Sequence, residues 1–264
     1  MFCGRRRRTL VGMTATWPDW QPDGGTVLGI WAHPDDEAYL SAGLMARARR
    51  AGARVVCWHA TRGEQGTPDP QAWPPERLAA RRVAELAESL RLLGVTEHRF
   101  LGYADGHCAE VPLAEAVAPL ADLMAELRPA LVVTFGPDGI TGHPDHITVS
   151  RWVTAAWRQV RHGKLRYAAS SHWFLRTFAE VHHRLGLLPA DTEGVPDDQV
   201  ALAVRLSEAE LDHKRAVLAA HASQTESLAA AMGEALYRRW YAVETFRAPT
   251  PAELSAVAVP EEAT

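Results

Sequence analysis

Residues 26–37 read TVLGIWAHPDDE, and residues 131–146 read LVVTFGPDGITGHPDH. Each opens as a short apolar run, the pattern of a strand buried on both faces, and each breaks into a polar turn that contains His-Pro-Asp. Proline at a first helical position with acids beside it is a helix start, so both stretches read as strand-to-helix junctions. Working outward, strand-like runs at 54–60 and 98–101 alternate with helical periodicity over 37–51, 76–93, 113–127 and 146–160. Gly52, Gly94 and the Arg128-Pro129 pair close the first three of those helices. The alternation predicts βαβ units, and with them an α/β, Rossmann-like sandwich: a mostly parallel sheet with helices on both faces.

The pattern weakens after Leu165. Strands are expected near 166–170 and 200–206, and Ser207 followed by Glu210 predicts a capping box that opens a helix running to about residue 220. The segment 61–75, TRGEQGTPDPQAWPP, is too long for a plain connection and is a candidate wall of a site. A chain of 264 residues with 47% hydrophobic content builds one substantial core. We expect a lead-in over 1–24, a single domain over 25–250 and a tail over 251–264. Met13 makes residues 1–12 either an upstream-start extension or a disordered tail.

A formal charge of −4 excludes the global basic surface that phosphate-backbone binding needs, so no nucleic-acid partner is expected. Cys3, Cys57 and Cys108 are widely spaced and form no CxxC pair, which fits a reducing compartment. No apolar run is long enough for a signal-peptide core or a membrane span, so a soluble, cytoplasmic protein is expected. Trp and Leu in the C-terminal third permit a homo-oligomer interface without locating one.

Open α/β sheets place ligands at the carboxyl ends of their strands, where both His-Pro-Asp turns stand. Acids at a helix start are explained by the helix dipole alone, but the histidines beside them are not. If the two strands are neighbours, His33, Asp35, Asp36, His143, Asp145 and His146 face each other. Imidazole and carboxylate together suit zinc, and three protein ligands with an open position form a catalytic arrangement. A two-histidine, one-carboxylate set also suits ferrous iron. His59, His107 and the His182-His183 pair have no acidic partner at ligand spacing and read as core or surface histidines. Trp73, Trp152, Trp157 and Trp173 read as core aromatics, with a sugar-stacking role as the alternative.

The pair AHPDDE (32–37) and GHPDH (142–146) resembles the signatures of the PIG-L/LmbE-like N-deacetylases. Weaker matches are TRGE (61–64), LGYADG (101–106) and KRAVLAAHASQ (214–224), so the resemblance covers most of the chain. It implies a zinc-dependent hydrolase acting on an N-acetylglucosamine-containing substrate, with His33, Asp36 and His146 as metal ligands and Asp35 as general base. It further implies that His143, kept protonated by Asp145, stabilises the intermediate or protonates the leaving amine. Arg82, Asp105, Glu64 and His221 are the candidate substrate contacts. Glu64 has a bracing role as its alternative, and His221 a helix C-terminal cation. Some thiol-cofactor members carry Tyr two residues before HPDH, where this chain has Thr141; Tyr103 is the candidate replacement.

Alternative readings are an amidase of thiol-sugar (mycothiol-type) conjugates, or a deacetylase that tailors a glycosylated natural product. A different class is a sugar- or nucleotide-binding Rossmann-like module. Against it, no GxGxxG follows the first strand, and His33 and Pro34 occupy that turn.

Overall fold

A computed structural model describes residues 17–19, 21 and 24–259, and the extension expected over 1–12 lies outside them. The strands β1 (Val27–Trp31), β2 (Val55–His59), β3 (Glu97–Phe100), β4 (Leu131–Phe135), β5 (Lys164–Ala168), β6 (Leu202–Arg205) and β7 (Val243–Arg247) form one sheet in the order β3-β2-β1-β4-β5-β7-β6. β1 pairs in parallel with both β2 and β4, β3 and β5 continue the parallel set, and β7 runs antiparallel between β5 and β6. The mostly parallel α/β sheet is therefore as expected.

The helices are α1 (Asp36–Leu40), α2 (Ala42–Arg50), α3 (Pro75–Leu93), α4 (Leu113–Leu127), α5 (Gly139–Gly142), α6 (Pro144–Val160), α7 (His172–Thr177), α8 (Ala179–Leu185), α9 (Glu208–Ala220), α10 (Ala222–Met232), α11 (Glu234–Trp240) and α12 (Pro251–Ala256). The chain steps outward from β1 to β3, then returns past β1 to β4 and β5. With right-handed crossovers, that reversal puts α2 and α3 on one face and α4 and α6 on the other. Leu28, Ile30, Val132 and Val133 in the middle of β1 and β4 are fully buried between the layers. The reversal also opens a crevice between the carboxyl ends of β1 and β4, where both His-Pro-Asp turns emerge. Among the described residues no helix is long and apolar enough to cross a membrane.

Three features depart from the sequence reading. The helix expected over 37–51 is two helices broken at Ser41 (φ −146°). The cause is distant in sequence: the Glu244 carboxylate on β7 accepts the Gly43 N–H at 2.7 Å and the Leu44 N–H at 2.9 Å, satisfying the free amides that start α2. β7 and the helices α7, α8, α10 and α11 were not expected; β7 reads VETFR, and its charges hide an interior strand. Within 251–264, α12 carries its own capping box of Thr250 and Glu253, and Arg247 pairs with Glu253 at 2.7 Å.

The capping box of Ser207 and Glu210 opens α9 as expected. Glu210 also accepts from Arg47 Nε at 2.7 Å. Burial alone would raise its pKa, but Arg47 and Ser207 outweigh that and hold it down to about 2. The folded chain therefore binds this proton more weakly than the unfolded chain, so the stabilisation is full above about pH 4.5 and is lost as pH falls towards 2. Glu210→Gln should cost about 1–2 kcal/mol at pH 7. In thermal melts the gap to wild type should narrow steadily as pH falls through that window, and a gap independent of pH would contradict the assignment.

Candidate active site

His33 leaves the end of β1 with its imidazole fixed at both nitrogens. Nε2 donates to Asp105 Oδ1 at 3.0 Å and to Asp145 Oδ2 at 3.3 Å, while Nδ1 faces His146 Nε2 at 3.1 Å. His146, in the first turn of α6, stacks on Phe135 with centroids 4.1 Å apart, and its Nδ1 donates to the Gly139 carbonyl at 3.0 Å. Asp36 lies across from both, with Oδ2 3.7 Å from His33 Nδ1 and Oδ1 3.3 Å from His146 Nε2. Tetrahedral donors about 2.0–2.1 Å from a zinc ion stand about 3.3–3.4 Å apart, and the separations of 3.1 and 3.3 Å, with 3.7 Å to the other Asp36 oxygen, lie close to ligand spacing. With Nε2–H of His33 and Nδ1–H of His146 both engaged, two imidazole lone pairs point at one another beside a carboxylate. A cation between them relieves that repulsion, and the residues fit a metal ion on this ground.

Two other groupings have ligand spacing: His33, His143 and His146, and His33, Asp105 and Asp145. The second is better read as bracing, because its oxygens already accept backbone amides. Asp145 accepts from Gly106 N at 2.7 Å and Cys108 N at 3.1 Å, and Asp105 from Gln65 N at 2.8 Å. Burial opposes the charge on both, but His33 and these amides outweigh it and hold Asp105 down to about 2 and Asp145 below its usual range. Burial likewise opposes charge on His33, yet the surrounding carboxylates push its pKa up to about 10, while burial takes His146 down to about 4.

Asp35 occupies the turn between β1 and α1 with φ +114°, a left-handed conformation costly for a non-glycine residue. Glu37 holds it there, accepting the Asp35 N–H at 3.0 Å. Fully buried, Glu37 also accepts from Ser89 Oγ at 2.6 Å and lies 2.7 Å from His221 Nε2 and 3.2 Å from His59 Nε2. Burial alone would raise Glu37, but the two imidazoles keep it well below the carboxylate range. Burial raises Asp35 above its ordinary pKa, with Arg82 opposing, the direction a proton acceptor needs. Its side chain remains 18% exposed, towards the cavity.

Of the four residues expected to meet substrate, Arg82 and Asp105 border the cavity while also bonded within the protein, and Glu64 and His221 do not line it. Arg82, 3% exposed, donates to the carbonyls of Gly63 and Pro34 and sits 3.4 Å from Asp35 Oδ1. Gly63 makes room for it: a Cβ there would lie 2.3 Å from the guanidinium, and its φ of +67° favours glycine. Asp105 orients His33, Glu64 accepts the Asp105 N–H at 2.9 Å, and His221 is buried on Glu37 rather than capping α9 from solvent. Asp145 corrects another expectation, since its carboxylate braces His33 and not His143. His143 accepts the Asp145 N–H on Nδ1 at 3.1 Å, and burial with the neighbouring His33 and His146 lowers its pKa. With Nδ1 accepting that N–H, Nε2 is the nitrogen left to carry a proton at the cavity. Thr141 Oγ1 stands 3.3 Å from His146 Nδ1, whereas Tyr103 packs on Trp152 and does not replace the missing phenol. Glu37 was missed as a site residue, and His59, buried as a core histidine, packs on it.

These groups sit at one side of a cavity of about 620 Å³ that reaches His33, Asp35, Asp36, His143 and His146. None of the four tryptophans weighed from sequence lines it; Trp240 does. A crevice at the sheet's switch point, with a strained acid beside a metal-suited donor set, is an arrangement that suits metal-assisted hydrolysis in an α/β fold.

The profile of the GlcNAc-PI de-N-acetylase (PIG-L) family matches residues 28–157. A 1D-myo-inositol 2-acetamido-2-deoxy-alpha-D-glucopyranoside deacetylase from Saccharomonospora viridis is 36% identical over 232 residues, 75% of this chain and 84% of that protein. One of the same name from Thermomonospora curvata is 33% identical over 239 residues, 75% and 80% of the two chains. The solved N,N'-diacetylchitobiose deacetylase from Pyrococcus horikoshii shares the fold at a TM-score of 0.59 and 23% identity, with 91% of this chain and 88% of that one covered. The chain belongs to the PIG-L family and is an N-deacetylase, a hydrolase of amide bonds.

Proposed function

We propose that this chain removes the N-acetyl group from an N-acetylglucosamine-containing substrate, with zinc held by His33, Asp36 and His146. The observation that carries the reading is the convergence of His33 Nδ1, His146 Nε2 and Asp36 within 3.1–3.7 Å, with Asp35 next in the chain. The relatives named for an acetamido-glucopyranoside support the substrate class. Zinc bound there supplies Lewis acidity, lowering the pKa of water towards about 7 and polarising the amide carbonyl.

The chain's own residues do the rest. Asp35 takes the proton of the attacking water, its carboxylate aimed by the strained turn and by Arg82. The Nε2–H of His143 donates to the oxygen on which charge develops, a preorganised neutral donor rather than a charge. The proton on Asp35 then passes to the leaving amine, so the acid needs no group beyond the base itself. Asp105 and Asp145 hold the tautomer of His33 that leaves Nδ1 free, and the Gly139 carbonyl does the same for His146.

Acetate release from methyl N-acetylglucosaminide should stop on chelation and return with added zinc; activity indifferent to chelation would defeat the proposal. Asp145→Asn should weaken zinc binding by about 10–100-fold in a competition titration. An unchanged affinity would remove Asp145 from the bracing role.

A further inference from the structure

The cavity beside the metal-suited residues has two unlike sides. One rim is polar and contiguous: Gln65 bonds to Asp105 through its backbone N–H and its side-chain amide, Gln224 Nε2 donates to the Gly66 carbonyl at 3.1 Å, and Arg82 lies beneath. The other side is built from Tyr39, Phe174, Leu187, Leu188, Leu228 and Trp240, all half-buried and facing the same space.

This apolar side is fixed before any ligand arrives. Trp240 packs edge-on against Tyr39 at 5.8 Å and tilted against Phe174 at 5.8 Å, and its indole N–H is spent on His182 Nε2 at 2.9 Å. Burial keeps His182 below its usual pKa, as suits an acceptor of that N–H. Leu187 is anchored by its N–H to the His182 carbonyl at 3.1 Å. The stretch to Pro189 then runs beside Gly142, where an added Cβ would meet the proline ring at 3.2 Å. The wall thus reaches the loop that carries His143.

A volume of about 620 Å³ is of the size that takes a drug-sized ligand, roughly 300–1,000 Å³, and leaves room beyond one sugar ring. We infer that the apolar wall is a subsite for an aryl or alkyl aglycone, so that the preferred substrate is an N-acetylglucosaminide with an apolar group on its anomeric oxygen. The inference rests on the deacetylase reading above: with acetyl as the acyl group, the aglycone is the part of the substrate left to cover this wall. Hydroxyls of a polyol aglycone would lose water against Phe174 and Trp240 without gaining a partner.

The test is kcat/KM for acetate release by the zinc-loaded enzyme from the phenyl, octyl, methyl and inositol glycosides of N-acetylglucosamine, with N-octanoylglucosamine as a control read by amine release. The phenyl and octyl glycosides should exceed the methyl and inositol glycosides by about tenfold or more. Phe174→Ala and Leu188→Asp should each shrink the phenyl-to-methyl ratio towards unity, and because the ratio is taken within one preparation, loss of folded enzyme does not move it. Methyl or inositol glycosides cleaved as well as the phenyl glycoside would overturn the inference and leave deacetylation standing. Faster cleavage of N-octanoylglucosamine would overturn it by assigning the wall to the acyl chain. No release from any member would bring down the deacetylase reading, and this inference with it.

Discussion

Asp35→Asn is expected to lower kcat for acetate release by about a hundredfold to ten-thousandfold while the protein keeps its metal. The substitution preserves shape and removes only the ability to accept a proton. None of His33, Asp36 and His146 bonds to the Asp35 side chain, so the donor set is left in place. Arg82, 3.4 Å from Asp35 Oδ1, loses a charge partner but keeps its two carbonyls, so the fold should hold. KM should change little, because the loss falls on proton transfer and not on ground-state binding. Measured zinc content alongside kcat separates the possibilities: a drop under tenfold, or zinc lost in parallel with activity, would strip Asp35 of the base role.

The second large effect concerns stability. Lys214→Met should destabilise the protein by about 3–5 kcal/mol, which for a chain of this size is a fall in Tm of very roughly 10 °C. Lys214 is 2% exposed and Glu244 3%; Nζ donates to Glu244 Oε1 and to the Tyr39 carbonyl, both at 2.7 Å. Burial pulls the Lys214 pKa down, and Glu244 resists that pull. Methionine fills the same space but leaves the Glu244 carboxylate buried with only two helix amides for company. The double variant Lys214→Met/Glu244→Gln removes the orphaned charge but can accept only one of the two helix N–H groups, so it should recover part of the loss. Melting curves in which the double variant is no more stable than the single one would show that packing, not charge pairing, is what Lys214 provides.

How much of this was legible in the sequence depended on whether a residue's neighbours were local. His33, Asp36 and His146 could be brought together on paper because each lies in the junction that follows a strand, and the two strands proved to be adjacent. The roles of Arg82 and Glu244 were hidden for different reasons. Arg82 lies four residues from both Leu78 and Leu86, on the stripe that α3 buries, and that spacing was a usable sign that its guanidinium points inward. Nothing comparable exists for Glu244, whose partners Gly43, Leu44 and Lys214 lie 201, 200 and 30 residues away. Glu37 was visible as the last letter of AHPDDE, but its bonds to His59, Ser89 and His221 come from three separate elements. Helix propensity could not foresee the break at Ser41 either, since the carboxylate that stabilises it arrives from β7.

Counting both products decides whether this chain is a metal-dependent N-deacetylase. Zinc-loaded protein given an N-acetylglucosaminide should release acetate and free amine in equal amounts, and chelated protein should release neither. Absence of acetate from the zinc-loaded enzyme across methyl, phenyl and inositol glycosides, or equal release with and without metal, would contradict that reading.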